Sequence, residues 1–190
     1  MKKQNIRHIK KRLHEILNSS NWESLLHEVY SYPLRQVINP LITFLCSTDK
    51  EIKQRAIITI GRVVRSIADK NMESARIIMR RLMWSLNDES GGIGWGAPEA
   101  MAEIMSLHEQ MAVEYASILI SYADPDGNYL EHVELQKEVL KGLARLAKVR
   151  PLLIKDAIPS LKKNNLCENE NIVMLRKNIL EILSRTMCQT

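Results

Sequence analysis

One pattern constrains this chain before any other: a helix-period apolar motif that returns about every 40 residues. Ile52, Ala56, Ile57, Ile60, Val63 and Val64 share one face of a helix. Ahead of them Leu41, Ile42 and Leu45 face the same core, and Ser47-Thr48-Asp49 turn the chain between the two helices. Looser copies follow. Ile60 corresponds to Ile104, Leu143 and Leu180, Ala56 to Ala100 and Val139, and Gly61 to Ala144. The spacings of Ile60 and its counterparts are 44, 39 and 37 residues. A single helix pair cannot bury its apolar face, so copies stack on one another, and small residues let their helices approach closely.

The fold this predicts is an all-α superhelix of about ten helices in antiparallel pairs, without a sheet. The first helices of the later pairs are predicted at 72–87, 109–122 and 151–163, the last opened by Pro151. Upstream, Ile6, Ile9, Leu13, Ile16 and Leu17 form one stripe, and Asn21 is expected to cap a short helix from Trp22 to about Tyr30. Pro33 and Pro40 punctuate the approach to the next helix. All of 1–190 reads as one domain, with a diverged pair at 1–32 and repeats at 33–70, 71–108, 109–150 and 151–190. Phe occurs once, so core volume comes from Leu, Ile, Met, Val and Ala, a helical composition. Cys46, Cys167 and Cys188 are odd in number and far apart, which points to reduced thiols in a cytoplasmic protein. No apolar run has the length of a signal peptide core or a membrane span.

The stretch Asp49, then Ile52-Lys53-Gln54-Arg55-Ala56-Ile57-Ile58-Thr59-Ile60-Gly61, resembles the second helix of a HEAT repeat. That family reads roughly Val-Arg-x-x-Ala-Ala-x-Ala-Leu-Gly after a turn Asp. The resemblance covers about 33–188 and implies a right-handed α-α solenoid, HEAT- or armadillo-like, of the kind that binds other macromolecules.

Charge divides the chain into three blocks. Residues 1–81 carry a net +9, 82–136 a net −10 and 137–190 a net +6. The middle block has ten acids and no Lys or Arg. It also holds Ser90-Gly91-Gly92-Ile93-Gly94-Trp95-Gly96-Ala97-Pro98 in the place of a short inter-helix turn. Its glycines call for positive φ or close backbone approach, and Pro98 sits well at a helix start. Exposed amides there could bind an anion. The alternative is that Asp88, Glu89 or Ser90 takes them. The loop, with Trp84 and Trp95, resembles a signature of small, poorly characterised bacterial HEAT-like proteins, which implies no activity.

The motifs of chemistry are weak. A phosphate loop needs Gly-Lys-Ser/Thr, and a dinucleotide fingerprint needs different glycine spacing after a strand. Asp124, Asp126 and Asn128 match three positions of a calcium loop, but Tyr129 and Leu135 break the pattern. Neither a metal nor a cofactor is expected, and no catalytic residue is assigned. Trp84 reads first as core and Asp88 as a helix-end residue. The pair also resembles the Trp and Asp with which HEAT-like alkylpurine DNA glycosylases hold and excise a base, which supplies a competing DNA-processing reading.

The preferred reading is a non-catalytic scaffold that engages a protein with a basic surface, with nucleic acid secondary. The candidate partner-binding residues are Asp88, Glu89, Gly92, Gly94, Trp95, Glu99 and Glu103. Arg55, Arg62 and Arg65 on one helix, and Lys137, Lys141, Arg145 and Lys148 on another, are expected as basic patches on either side of the acids.

Overall fold

The computed structural model describes residues 6–87, 93–163 and 169–187. Among them the chain is helical, with no strand. The helices are α1 (Ile6–Asn18), α2 (Trp22–Leu25), α3 (Leu34–Phe44), α4 (Lys50–Ala68), α5 (Met72–Trp84) and α6 (Ala97–Leu107). They continue as α7 (Glu109–Ser121), α8 (Val133–Val149), α9 (Pro151–Ile154), α10 (Ile158–Lys162) and α11 (Glu170–Met187). A 3-10 turn, Leu26–Ser31, extends α2, and another, Lys155–Ala157, joins α9 to α10.

Two layers result. In one, α1, α4, α6, α8 and α11 lie side by side in that order. In the other, α3 packs on α1 and α4, α5 on α4 and α6, α7 on α6 and α8, and α9 on α8 and α11. Every second helix of a pair thus touches its counterparts in the pairs before and after, as the 40-residue recurrence predicts. Ile60, Ile104 and Leu143 are fully buried where these neighbours meet. The fourth counterpart is displaced. In α11 the fully buried stripe is Ile172, Ile179 and Leu183, and Leu180 is only half-buried.

The middle helix is the most enclosed. From Ala97 to Ser106 every residue of α6 but Glu99 is buried. Glycine on both neighbours makes this possible. A Cβ on Gly61 of α4 would fall 2.6 Å from Glu103 Cγ, and one on Gly142 of α8 would fall 3.0 Å from Ala102 Cβ and 3.2 Å from the Pro98 carbonyl. Gly61 is anticipated by the repeat pattern; Gly142 is not.

Three local expectations are corrected. Pro40 does not precede α3 but lies inside it, buried. Asn21 stands before α2, yet its side chain makes no capping bond. The first helix of the last pair, expected over 151–163, is broken at Lys155–Ala157, and Pro151 and Pro159 each sit in the first turn of a short segment. Among the described residues, no helix is long and apolar enough to cross a membrane.

Candidate functional site

The described part of the Gly-Trp segment, 93–96, is pressed onto the end of α5. A Cβ on Gly94 would fall 2.5 Å from the Ser85 carbonyl oxygen, so only glycine fits there without displacement. Gly96 has φ +73°, the left-handed region, and is the residue from which α6 starts. The Ala97 amide donates to the Gly94 carbonyl at 3.0 Å and the Ala100 amide to the Gly96 carbonyl at 2.9 Å. Trp95 is half-buried against the core, and its ring meets that of His132 edge-on, with centroids 5.0 Å apart. Asp88, Glu89 and Gly92 lie outside the described residues.

The anion at this helix start comes from elsewhere in the chain. The Gly96 amide donates to Glu138 Oε2 at 2.7 Å, across 42 residues of sequence. The other oxygen, Oε1, accepts from Lys53 Nζ at 2.5 Å. The Glu138 side chain is 6% exposed. A buried carboxylate thus joins α4, the Gly-Trp turn and α8, and its charge also suits the positive end of the α6 dipole. The sequence reading missed Glu138 and Lys53. The available signal was Glu138 on the apolar stripe Leu135, Val139, Gly142 and Leu143, where a charge is out of place unless paired.

The acids and the basic helix that the sequence sets apart meet as a ladder. Arg145 holds Glu103 in a fork, Nε to Oε2 at 2.9 Å and Nη2 to Oε1 at 3.2 Å. Lys141 lies 3.5 Å from Glu99. Burial raises the Glu99 pKa above the ordinary glutamate range; Lys141 opposes that shift, and Glu138 adds to it. Glu99 and Glu103 form the floor of a groove of about 440 Å³, walled by Gln54, Ile58 and Arg62 of α4 and by Lys141 and Arg145 of α8. The remaining basic residues divide. Arg55 donates to the Leu17 and Ser19 carbonyls and lies over the Trp22 ring, so it anchors the end of α1. Lys137 pairs with Glu134 of its own helix. Arg62 has an acid, Glu23, only at 4.0 Å, and Arg65 and Lys148 are exposed.

A second groove, of about 1100 Å³, lies between the end of α5, the end of α7 and the start of α8. Trp84 is 59% exposed at its wall, contrary to its expected place in the core. Facing it are Ile118 of α7, Tyr122 just after that helix, the segment Asn128–His132, and Leu135 of α8. His132 joins this groove to Trp95. In the calcium-like turn, Lys163 Nζ sits 3.3 Å from Asp124 and 2.5 Å from Asp126, so an ammonium occupies the two carboxylates.

No family model matches the chain. An uncharacterized protein of Archaeoglobus fulgidus is 32% identical over 120 residues, which are 63% of this chain and 57% of that protein. The chain therefore spans little more than half the length of this curated relative. A crystal structure of an engineered protein superposes with a TM-score of 0.50 and 19% identity, covering 95% of this chain and 80% of that one. A designed armadillo repeat protein in complex with the peptide (KR)4 gives a TM-score of 0.47 and 18% identity, covering 90% and 80%. With its layered helix pairs, the chain has an all-α solenoid fold.

Proposed function

We propose that this protein is a binding scaffold and that its partner is a protein presenting a basic surface to the edge built by residues 82–136. One observation carries this reading. The segment contributes no cation to the surface, while Glu109, Asp126, Glu131 and Glu134 are exposed along it. A field of one sign steers a partner of the opposite sign and repels a phosphate backbone. The ladder narrows which acids are available. Glu99 and Glu103 are already held by Lys141 and Arg145, Glu134 by Lys137 and Asp126 by Lys163, so recruitment falls to Glu109 and Glu131.

The test compares three probes on the intact protein: a Lys/Arg octapeptide, an Asp/Glu octapeptide and a short DNA duplex. The Lys/Arg peptide is expected to bind with an affinity that falls as salt rises. Tighter binding of the duplex, or release of a free base from alkylated duplex through Trp84 and Asp88, overturns the reading in favour of DNA processing. Neutralising Glu99 and Glu103 is a poor test, because it strips Lys141 and Arg145 of their partners. Asp88→Asn with Glu89→Gln and Glu109→Gln leaves the ladder intact and is expected to flatten the salt dependence.

A further inference from the structure

The groove at Trp84 has a composition that the edge charge alone does not explain. Met83, Trp84 and Leu86 form one wall, and Ile118, Tyr122 and Leu130 face them. Trp84 leaves more than half of its surface in solvent, apolar area whose burial against a partner is favourable. Ile93, just beyond α5 in the chain, is exposed as well. A pocket for a small molecule spans roughly 300–1,000 Å³ and encloses its ligand. This one has about 1100 Å³ and is open to solvent, which gives room for a polypeptide segment.

Charge selects the segment. Arg80 is the single Lys or Arg among the lining residues, and its guanidinium is held 2.5 Å from Glu73. Glu131 lines the groove, is exposed, and has no ion pair among the described residues. The flanking chain from 82 to 136 brings no positive charge. An exposed indole beside such ground offers both an apolar contact and a cation–π face. Central aromatic residues of this kind carry a disproportionate share of interface energy.

We propose that the Trp84 groove seats a segment of a partner protein that carries an apolar anchor flanked by Lys or Arg. The apolar residue packs against Trp84, Ile118 and Leu130, and a flanking cation lies toward Glu131 or over the indole. The proposal rests on the basic-partner reading above and assigns it to one place on the surface.

The test is fluorescence anisotropy with three labelled ten-residue peptides: Leu alternating with Lys/Arg, Leu alternating with Glu, and Ser alternating with Lys/Arg. The Leu–Lys/Arg peptide is expected to bind tightest. Trp84→Ala is expected to weaken it at least tenfold, and Trp84→Phe to restore most of the loss. Glu131→Gln, at an exposed residue, is expected to weaken it about twofold and reduce its salt dependence. Circular dichroism confirms that each variant keeps its fold. If the peptide binds Trp84→Ala and Glu131→Gln as tightly as the wild type, the groove assignment fails while the basic-partner reading stands. If neither basic peptide binds, both fail. Equal binding of the Leu–Glu peptide removes the charge selection and overturns the proposal. A dimer in sedimentation that Trp84→Ala dissolves gives the groove to a second copy of this chain and overturns it too.

Discussion

The adjacent helices α4 and α6 begin in opposite ways. At the start of α4, Asp49 accepts from the amides of Glu51 and Ile52 at 2.8 and 3.2 Å, and Ser47 Oγ accepts from the Asp49 amide. The cap lies within three residues of what it caps. At the start of α6, Gly96 has no side chain to offer, and the carboxylate comes from Glu138 on the following repeat. The first end is complete as soon as its own turn forms, while the second is complete only when α8 has docked. Local capping makes a repeat self-contained; capping from the next repeat ties two repeats together, and here Lys53 draws in a third element, α4.

The sharpest way to break this comparison is to remove the distant cap. Glu138→Ala leaves the Lys53 ammonium and the Gly96 amide without their shared acceptor. Breaking a buried, hydrogen-bonded charge pair costs about 3–5 kcal/mol, and the part-exposed Lys53 puts this case near the lower bound. Urea unfolding measures it. Glu138→Gln keeps an acceptor for the amide and is expected to lose less. A cost for Glu138→Ala no greater than for loss of the Asp49 cap would mean that the two helix starts differ in geometry but not in energy.

Next in size is Gly96→Ala. A side chain in the left-handed region costs about 1–2 kcal/mol. Its Cβ would also sit 3.1 Å from Leu45 Cβ and from Lys53 Cε, which places the loss at the upper end. The same denaturation series, extended to this variant, should show a lowered midpoint with an unchanged slope.

The same contrast explains how far the sequence could be read. Asp49 and its turn, Ala56, Gly61 and the apolar positions of α4 all lie within one repeat, and each is legible from spacing alone. Ile104 and Leu143 follow because the period carries them. Pro40 misleads because its neighbours in α3 bury it in a helix that the local rule would end. Glu138 has no local signature beyond being a charge on an apolar stripe, since its partners lie 42 and 85 residues away. Glu99 and Glu103 read as an acidic surface because their partners, Lys141 and Arg145, belong to the next charge block. The exposure of Trp84 depends on the groove that α5, α7 and the start of α8 leave between them, which no single helix encodes.

A smaller effect is expected at the local cap. Asp49→Ala removes one acceptor serving two amides, at about 1 kcal/mol for an exposed N-cap. Asp49→Asn is expected to recover most of it, because Asn is an equally good cap. Thermal melts of the pair suffice. An Asn variant as weak as the Ala variant would assign the effect to the Asp49 charge at the helix dipole and weaken the contrast with the charged cap of α6.

The smallest effect separates the two helix starts by pH. Each has a glutamate in its first turn: Glu51 is exposed on α4, whereas Glu99 is largely buried on α6. Burial raises the Glu99 pKa, Lys141 draws it down, and Glu138 pushes it up again, with a net rise. The folded protein therefore holds this proton to higher pH than the unfolded chain does. Stability from this group is fully present below the ordinary glutamate range and is lost as pH rises through the folded pKa. Glu99→Gln removes that loss and gives up a contact with Lys141 that solvent screens, since the Lys141 side chain is 54% exposed. At neutral pH the Gln variant is expected to equal or slightly exceed the wild type in stability, and the gap should close on acidification toward about pH 4. Urea midpoints across that range decide it. A Gln variant that is weaker at neutral pH, with a deficit that grows as pH rises, would show that the ion pair with Lys141 outweighs burial and that α6, like α4, gains from a charged first turn.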